Sequence, residues 1–280
     1  MRVGTIERAA VAALACALTG CTNLFLQPDR ALHLRPETVG AQYQVVDFPS
    51  ADGVKLSGLW FPARPGPAKG VIVQFHGNGQ NETSHFLYVY WLALAGWDVL
   101  AFDYRGYGAS GGEKSLDGAV RDGEAALAYA RRRAPGLPLV VIGQSLGGAL
   151  AVASLAQDGG AGLRALVLDS TFASYRAVAR AKLAQSPLTW PLQPLVYALI
   201  SDRWAPERFI AARARVPLLV MHAPQDPVVP YAQGRALYES APGPKQFWVI
   251  PGRGHLLALG DDGGVYRPRL QDWLDAAVSR

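Results

Sequence analysis

Runs of consecutive apolar, β-branched residues alternate with amphipathic stretches along most of the chain. The runs have the length and composition of strands that are buried on both faces of a sheet. They are Val71–Phe75, Val99–Phe102, Leu139–Ile142, Leu163–Leu168, Pro217–Met221 and Phe247–Ile250. The stretches between them predict helices at Thr83–Ala95, Leu116–Arg133, Leu146–Gln157, Ala232–Glu239 and Arg267–Val278. Strict alternation of strand and helix predicts an α/β fold with a mostly parallel sheet covered by helices on both faces.

Two regions depart from this alternation. Tyr43–Phe48 and Lys55–Phe61 flank the dipeptide Asp52-Gly53, which is a hairpin signal between two strand-like runs. Residues 171–214 are rich in aromatic residues and proline and are too long for a simple crossover. They predict a small helical cap insertion over the carboxyl edge of the sheet, where ligands bind in open α/β sheets. One domain is therefore expected over residues 41–280.

The first twenty residues follow a different pattern. A charged start precedes the apolar run Ala9–Leu18, which is too short to span a bilayer and leads into Leu18-Thr-Gly-Cys21. This resembles the bacterial lipoprotein signal, in which a peptidase cuts before a cysteine that is then acylated. The resemblance implies a signal peptide over residues 1–20 and lipidation of Cys21, with a plain signal peptide or an uncleaved anchor as the alternatives. Residues 21–40 contain two prolines and mixed polarity, and they predict a tether.

The lipoprotein resemblance also carries expectations about location and cysteine chemistry. Thr22 after the cysteine resembles the signal for sorting to the outer membrane, so we expect a lipid-anchored protein of the bacterial cell envelope. Cys16 would leave with the signal peptide. Cys21 would then be the only cysteine of the mature chain, which excludes an intramolecular disulfide and a cysteine metal site.

Composition narrows the partners further. Half of the residues are apolar and 18% are charged, so the chain can bury a large core. The formal net charge is +5, but the densest basic run, Arg131–Arg133, ends a predicted helix, where cations are favourable and solvated. Nucleic acid is therefore not an expected partner.

Gly143-Gln-Ser145-Leu-Gly147 fits the pattern G-x-S-x-G. A buried strand precedes it and an Ala/Leu-rich helix follows it, which is the setting of a nucleophile held at a sharp strand-to-helix turn. Such a turn strains the serine backbone and requires small neighbours. The alternative is an ordinary polar residue in a glycine-rich turn.

A serine nucleophile needs a histidine base and an acid that orients it. In this arrangement the chain order is serine, acid, histidine, and among the five histidines His255 meets it on the loop after the last strand. His222 follows the serine but precedes the acid. Asp226, one strand before His255, is the preferred acid, and Asp169 is its competitor.

Two backbone N–H groups are expected to stabilise the oxyanion. Leu146 follows the nucleophile and supplies the first. The loop after Val71–Phe75 reads His76-Gly-Asn78-Gly79, and Asn78 is the preferred second donor, ahead of Gly79. His76 is expected to brace this loop by hydrogen bonding, because the chain order excludes it from the triad.

Taken together, these motifs resemble the alpha/beta-hydrolase superfamily, and most closely its serine-aminopeptidase-like and esterase branch. The resemblance rests on HGNG at His76, DYRGYGASGG at Asp103–Gly112, GQSLGG at Gly143–Gly148, the Asp226 loop and Gly254-His255, all in family order. It implies that Asp103, Arg105 and Ser110 are structural.

The function expected from this resemblance is cleavage of small carboxylic esters, possessing an acyl or lipid-like part, through an acyl-enzyme on Ser145. No metal or organic cofactor is expected. An amidase or aminopeptidase, or a thioesterase, could use the same triad. An alternative of a different class is a non-catalytic lipoprotein that uses the fold for binding.

Overall fold

The computed structural model describes residues 22–213, 215–260 and 264–279. The predicted signal peptide and Cys21 lie outside the described residues, as does Ala214 at the end of the predicted cap insertion. The strands are β1 (Gln44–Pro49), β2 (Lys55–Phe61), β3 (Val71–Phe75), β4 (Asp98–Phe102), β5 (Leu139–Gln144), β6 (Leu163–Asp169), β7 (Leu218–His222) and β8 (Lys245–Val249). The α-helices are α1 (Glu82–His85), α2 (Trp91–Leu94), α3 (Leu116–Arg133), α4 (Leu146–Asp158), α5 (Tyr175–Leu183), α6 (Val196–Leu199), α7 (Tyr231–Ser240) and α8 (Tyr266–Val278).

Within the described residues the strands form one eight-stranded sheet in the order β1-β2-β4-β3-β5-β6-β7-β8. The β1–β2 pair is the predicted hairpin, with Ser50 and Val54 closing the turn through a backbone hydrogen bond of 2.8 Å. From β4 to β8 every neighbouring pair is parallel. The predicted α/β-hydrolase fold is therefore confirmed.

Each central strand contributes side chains to two apolar cores, one on each face of the sheet. In β3, Val71, Val73 and Phe75 belong to one buried cluster, and Ile72 belongs to the cluster on the opposite face. This alternation explains why the strand reads as a continuous apolar run, because both of its faces are covered. The carboxyl ends of the parallel strands are thereby fixed at one edge of the sheet.

One predicted helix is wrong in its extent. Thr83–Ala95 was expected to be continuous, but it divides into α1, a 3-10 turn at Phe86–Tyr88, and α2. Val89 leaves helical geometry with φ −133° and ψ −21°. The run Tyr88-Val-Tyr-Trp91 consists of aromatic and β-branched residues, which are poor helix formers, and tertiary packing decides its path.

Residues 22–40, predicted as a tether leading from the anchor, pack against the rest of the chain over much of their length. We call this segment the strap. Leu26 is 1% exposed, and Phe25 packs edge-on against Tyr175 with the ring centroids 5.2 Å apart. The side chain of Asn81 donates hydrogen bonds to the carbonyl oxygens of Asp29 and Ala31, at 3.1 and 2.7 Å.

The predicted cap insertion consists of short helices, as expected, over its described residues 171–213. It contains α5, a 3-10 helix at Trp190–Leu195, α6, and 3-10 turns at Pro206–Arg208 and Ile210–Arg213. We call residues 171–213 the cap. No helix in the described ranges combines the length and the apolar composition that a bilayer span requires.

Candidate active site

Ser145 lies at the turn between β5 and α4. Its backbone has φ 52° and ψ −122°, a left-handed conformation that a non-glycine residue adopts only under strain. The Ser145 N–H donates to the carbonyl oxygen of Asp169 at 2.8 Å, which ties the turn to the end of the neighbouring strand β6. The strained backbone predicted for the G-x-S-x-G serine is therefore present.

The glycines of the motif are required by close contacts. A Cβ on Gly147 would lie 2.2 Å from the carbonyl oxygens of Phe75 and His76. A Cβ on Gly143 would lie 2.6 Å from the Cα of Gly148. Both distances are far below van der Waals contact, so helix α4 can start directly against the end of β3 only because these positions carry no side chain.

His255 and Asp226 form a hydrogen-bonded pair. The His255 Nδ1 atom lies 2.7 Å from Asp226 Oδ2. An ionised carboxylate can only accept, so the proton of a neutral His255 sits on Nδ1 and Nε2 is left as the free acceptor. A histidine in this tautomer can receive a proton from a serine hydroxyl.

Asp226 is held in place from its other side by the backbone of its own loop. Its Oδ1 accepts hydrogen bonds from the N–H groups of Val228 and Val229, at 2.8 and 3.0 Å. Burial pushes the pKa of Asp226 upward, but the contacts with His222 and His255 outweigh it and hold this pKa below the ordinary value of 3.8. Asp226 is therefore ionised near neutral pH, as an orienting acid must be.

His222, the histidine with the wrong chain order, is a buried supporting residue. Its Nε2 lies 3.0 Å from the carbonyl oxygen of Val229 and 3.4 Å from Asp226 Oδ2. Because a carbonyl oxygen can only accept, Nε2 carries the proton and donates it toward the Asp226 loop. A Cβ on Gly234 would lie 2.2 Å from the His222 ring, so glycine at that position makes room for it.

Asp169, the competing acid, is fully buried and does not contact His255. Its side chain accepts a hydrogen bond from the Ser170 hydroxyl at 3.1 Å. Burial raises the pKa of Asp169 to about 6, against the partly compensating bond from Ser170. Of the two acids, the structure brings only Asp226 within hydrogen-bond distance of the base.

The loop that carries His255 is fastened beside the nucleophile turn. The Leu256 N–H donates to the Ser170 hydroxyl at 3.3 Å, and Ser170 directly follows Asp169, whose carbonyl oxygen holds the Ser145 N–H. The Ser145 hydroxyl has no hydrogen-bond partner among the described residues. The serine–histidine bond is therefore open in this state, and such bonds commonly tighten only when substrate is bound.

The loop after β3 also lies against the serine. A Cβ on Gly77 would lie 3.5 Å from the Cβ of Ser145. As predicted, His76 braces this loop, since its Nδ1 lies 2.7 Å from the carbonyl oxygen of Gly77. The Leu146 N–H, at the first position of α4, has no acceptor one turn earlier in the helix. The two predicted oxyanion donors, Leu146 and Asn78, thus belong to segments that meet at Ser145.

The Asn78 side chain fastens the loop to the strap, a contact that the sequence did not indicate. Asn78 Oδ1 accepts hydrogen bonds from the Gln27 N–H at 2.8 Å and from the Tyr107 hydroxyl at 3.0 Å. Gln27 therefore helps to position the candidate oxyanion loop. Its contribution is a backbone N–H, which no side-chain motif reveals.

A cavity of about 500 Å³ opens beside Asn78. Its walls come from the strap and from the cap, with Leu24, Phe25 and Gln27 on one side and the leucines and valines of α5, the Trp190–Leu195 turn and α6 on the other. Lys182 is the one charged residue among the described residues that line it. Its volume lies within the range of small-molecule binding sites, about 300–1,000 Å³.

Two further buried groups near the loop were missed by the sequence reasoning. His85 lies under the loop, with Nε2 3.2 Å from the carbonyl oxygen of Gly79, and burial lowers the pKa of His85 to about 3. Glu82 is buried beside Asp103, and its backbone N–H donates to Asp103 Oδ1 at 2.8 Å. Burial, together with the Asp103 charge, raises the pKa of the Glu82 carboxyl well above 4.5.

The DYRGYGASGG stretch makes the structural contacts that the family resemblance implies. Arg105 bridges Asp52 and Asp122, with N–O distances of 2.8 Å to each. The Ser110 hydroxyl donates to the carbonyl oxygen of Asp103 at 2.8 Å. Within residues 22–213, 215–260 and 264–279, no group of three or more His, Cys, Asp or Glu side chains could hold a metal ion.

Comparisons with known proteins identify relatives of this chain. A family model described as serine aminopeptidase, S33, matches residues 66–204. The chain is 34% identical over 263 residues to the uncharacterized protein YfhR of Escherichia coli strain K12, covering 92% of this chain and 88% of YfhR.

Solved structures with the same fold include two esterases. The Pf2001 esterase of Pyrococcus furiosus superposes with a TM-score of 0.71 at 21% identity, over 91% of this chain and 98% of the esterase. A thermostable carboxyl esterase of Bacillus coagulans superposes with a TM-score of 0.63 at 17% identity, over 84% of this chain and 99% of the esterase. At these identities the likeness concerns the fold.

Proposed function

Since this chain belongs to the alpha/beta-hydrolase superfamily and is a hydrolase, we propose that it cleaves carboxylic esters through Ser145, His255 and Asp226. The observation that carries the proposal is the combination of a strained serine at the strand-to-helix turn with an Asp226–His255 pair on neighbouring loops. The two esterases of the same fold support an ester as the substrate.

The reaction begins when the Ser145 hydroxyl oxygen attacks the acyl carbon. His255 Nε2 takes the hydroxyl proton. The Asp226 carboxylate accepts a hydrogen bond from the Nδ1–H of His255 and stabilises the imidazolium. The carbonyl oxygen becomes an oxyanion, and the N–H groups of Leu146 and Asn78 donate to it. The positive end of helix α4 favours the same negative charge.

Collapse of the tetrahedral intermediate breaks the bond between the acyl carbon and the alcohol oxygen. His255 returns its proton to that oxygen, so that the alcohol leaves and the acyl group remains esterified to Ser145. Water then attacks the acyl carbon and gives its proton to His255. The second collapse breaks the bond between the acyl carbon and Ser145 Oγ. His255 returns its proton to that oxygen, which releases the carboxylic acid and restores the serine hydroxyl.

The cavity favours an ester over the free amino terminus that an aminopeptidase binds. None of the described residues lining it is acidic, and most are leucine, valine, phenylalanine or isoleucine. Of the two acids in the cap, Asp202 already accepts hydrogen bonds from the Ser174 hydroxyl and the Arg176 N–H, at 2.9 and 3.1 Å. An apolar acyl group therefore fits the cavity, whereas an ammonium group finds no counter-charge there.

The lipid anchor on Cys21 and the location at the periplasmic side of the outer membrane are part of this proposal. They rest on the apolar run Ala9–Leu18 followed by Leu18-Thr-Gly-Cys21.

A fluorophosphonate probe tests the nucleophile. The wild-type chain is expected to be labelled, because the activated serine displaces fluoride from phosphorus, and Ser145→Ala is expected to be unlabelled and inactive on aryl esters. Ser110→Ala is the matched control and is expected to keep its labelling, because the Ser110 hydroxyl is engaged in a hydrogen bond to the carbonyl oxygen of Asp103. Labelling that persists in Ser145→Ala removes the assignment. A panel of aryl esters from acetyl to palmitoyl, with an aminoacyl anilide beside it, separates esterase from peptidase.

A further inference from the structure

Exposed apolar side chains are concentrated on the cap and on the adjoining start of the strap. We call Leu24, Leu188, Trp190, Leu192, Leu195 and Leu199 the apolar rim. Leu188 is 88% exposed, Leu24 is 68% exposed and Trp190 is 62% exposed. Exposed apolar side chains are ordinary when scattered, but a contiguous group of this kind marks a surface that meets another apolar phase.

The rim adjoins the cavity described above, because four of its members, Leu24, Leu192, Leu195 and Leu199, are exposed and also line that cavity. An acyl chain can therefore pass from the rim into the cavity without leaving an apolar environment.

The basic residues beside the cavity lie on one helix. Helix α5 carries Arg176, Arg180 and Lys182 and no acidic residue, and it supplies four of the residues that line the cavity. The Asp202 carboxylate is already engaged by Ser174 and Arg176. Arg180 stacks on the exposed ring of Tyr197, 5.3 Å from its centroid, which holds one guanidinium beside the rim. Such a surface complements anionic headgroups.

The residue that follows the predicted acylation site contacts the cap next to this surface. The hydroxyl of Thr22 accepts a hydrogen bond from the Ser201 N–H in the cap, at 2.9 Å. Cys21, the predicted site of acylation, is joined to Thr22 by one peptide bond. An acyl anchor there would therefore tether the chain to a bilayer from the same side that carries the rim.

We propose that the apolar rim and the surrounding basic residues dock on the surface of an anionic phospholipid bilayer, and that ester-linked acyl chains enter the cavity from that bilayer. This substrate class rests on the proposed ester hydrolysis, whereas the docking itself does not. Each rim side chain that enters the bilayer is expected to strengthen binding about tenfold. Basic residues add an attraction that weakens as salt is raised.

The docking is tested with the full chain carrying Cys16→Ser and Cys21→Ser, which removes acylation and leaves a single engineered thiol for labelling. An environment-sensitive fluorophore is placed at Leu188→Cys or, as the matched control, at Leu94→Cys, which is 65% exposed in α2, just before the start of β4. Vesicles of phosphatidylglycerol and phosphatidylethanolamine are expected to shift the emission to the blue at position 188 only. Neutral phosphatidylcholine vesicles are expected to bind more weakly.

Four results overturn the docking. The first is that the label at position 188 does not respond to vesicles. The second is that both positions respond equally, which means that the apolar run in residues 9–18 holds the chain on the vesicle without orienting it. Equal binding to neutral and anionic vesicles removes the role of charge. A dimer that L188D dissociates without changing vesicle binding makes the rim a contact between two copies of the chain.

Activity separates failure of docking from failure of the proposed function. Leu188 and Trp190 do not line the cavity, so the variant L188D/W190D is expected to keep its kcat/KM on a soluble acetyl ester. On an ester dissolved in phosphatidylglycerol vesicles it is expected to need at least about tenfold more lipid for half-maximal rate, and L94D is expected to behave as wild type. Cleavage of soluble esters with no effect of L188D/W190D on vesicles overturns docking alone. A position-specific blue shift without cleavage of any ester supports docking and overturns the ester hydrolysis.

Discussion

Replacing Asp226 with asparagine is expected to lower kcat/KM by about 10⁴-fold, or about 5 kcal/mol of transition-state stabilisation. Asp226 Oδ1 accepts two backbone N–H groups, from Val228 and Val229, while Oδ2 faces His255 Nδ1 at 2.7 Å. The asparagine oxygen must keep the two backbone donors. Its NH₂ group is then turned to His255, where it requires an unprotonated Nδ1. The histidine proton moves to Nε2, so the base can no longer accept a proton from Ser145.

Asp169→Asn is the matched control, because it makes the same chemical change in the competing acid. Ser145 is held by the main-chain oxygen of Asp169, which the substitution keeps. Activity is therefore expected to stay within about fivefold of wild type, since the substitution touches no reacting group. The raised pKa of Asp169, about 6 against 3.8, means that the folded state disfavours its charged form. Asp169 therefore lowers the free energy of unfolding progressively as pH rises from about 4 to 6. Asp169→Asn is expected to restore up to about 3 kcal/mol of this free energy near neutral pH.

The assay is hydrolysis of an aryl acetate by both variants across pH 5 to 9. Their free energies of unfolding are measured in urea at about pH 4 and about pH 6, the ends of the range in which Asp169 changes stability. The pKa of Asp226 lies below 3.8, so the stability it contributes is present above about pH 4 and is lost only as pH falls further. Asp226 thus stays ionised throughout the assay, and the acid limb of the activity profile belongs to another group. An equal or larger loss in Asp169→Asn would refute the reasoning and move the acid to β6.

Two other changes test the oxyanion loop and the anchor. Asn78→Ala is expected to lower kcat about tenfold with little change in KM, because the loop loses its two hydrogen bonds to Gln27 and Tyr107. Tyr107→Phe removes one of these bonds and is expected to lower kcat less. An unchanged kcat in Asn78→Ala would mean that the side chain does not position the loop. Cys21→Ser is expected to abolish metabolic incorporation of labelled palmitate in cells that process the full chain, and persistent incorporation would contradict acylation at that residue.

The strands and the nucleophile turn could be predicted because their signals are local. A strand buried on both faces must be almost wholly apolar, and the one polar side chain in each of β3 and β5, Gln74 and Gln144, is hydrogen-bonded to the other at 2.8 Å. The turn at Ser145 requires glycine wherever a Cβ would clash with the backbone of β3 or of α4 itself. The five-residue motif therefore indicates a close contact between segments that are distant in the sequence. Chain order then selects among the few histidines and acids that follow the serine.

The strap could not be predicted, because its contacts are made with residues far away in the sequence. Its prolines and mixed polarity are typical of a tether, and the large apolar residues that pack inward are scattered along it, at Phe25, Leu26, Leu34 and Val39. The partners of its backbone, Asn78, Asn81 and Lys114, lie 50 to 88 positions further along the chain. Local composition contains no record of such pairings.

The hydrogen bond between Thr22 and Ser201 joins residues that are 179 positions apart. During synthesis the strap emerges from the ribosome early, yet Ser201 is added only after most of the chain has been made. Contacts of such long sequence separation form late in folding, because closing a large loop costs entropy before any contact repays it. The cavity beside Asn78, one wall of which is the strap, is therefore among the last parts of the molecule to assemble. A partly synthesised chain can already possess the Ser145 turn while this cavity is still open to water.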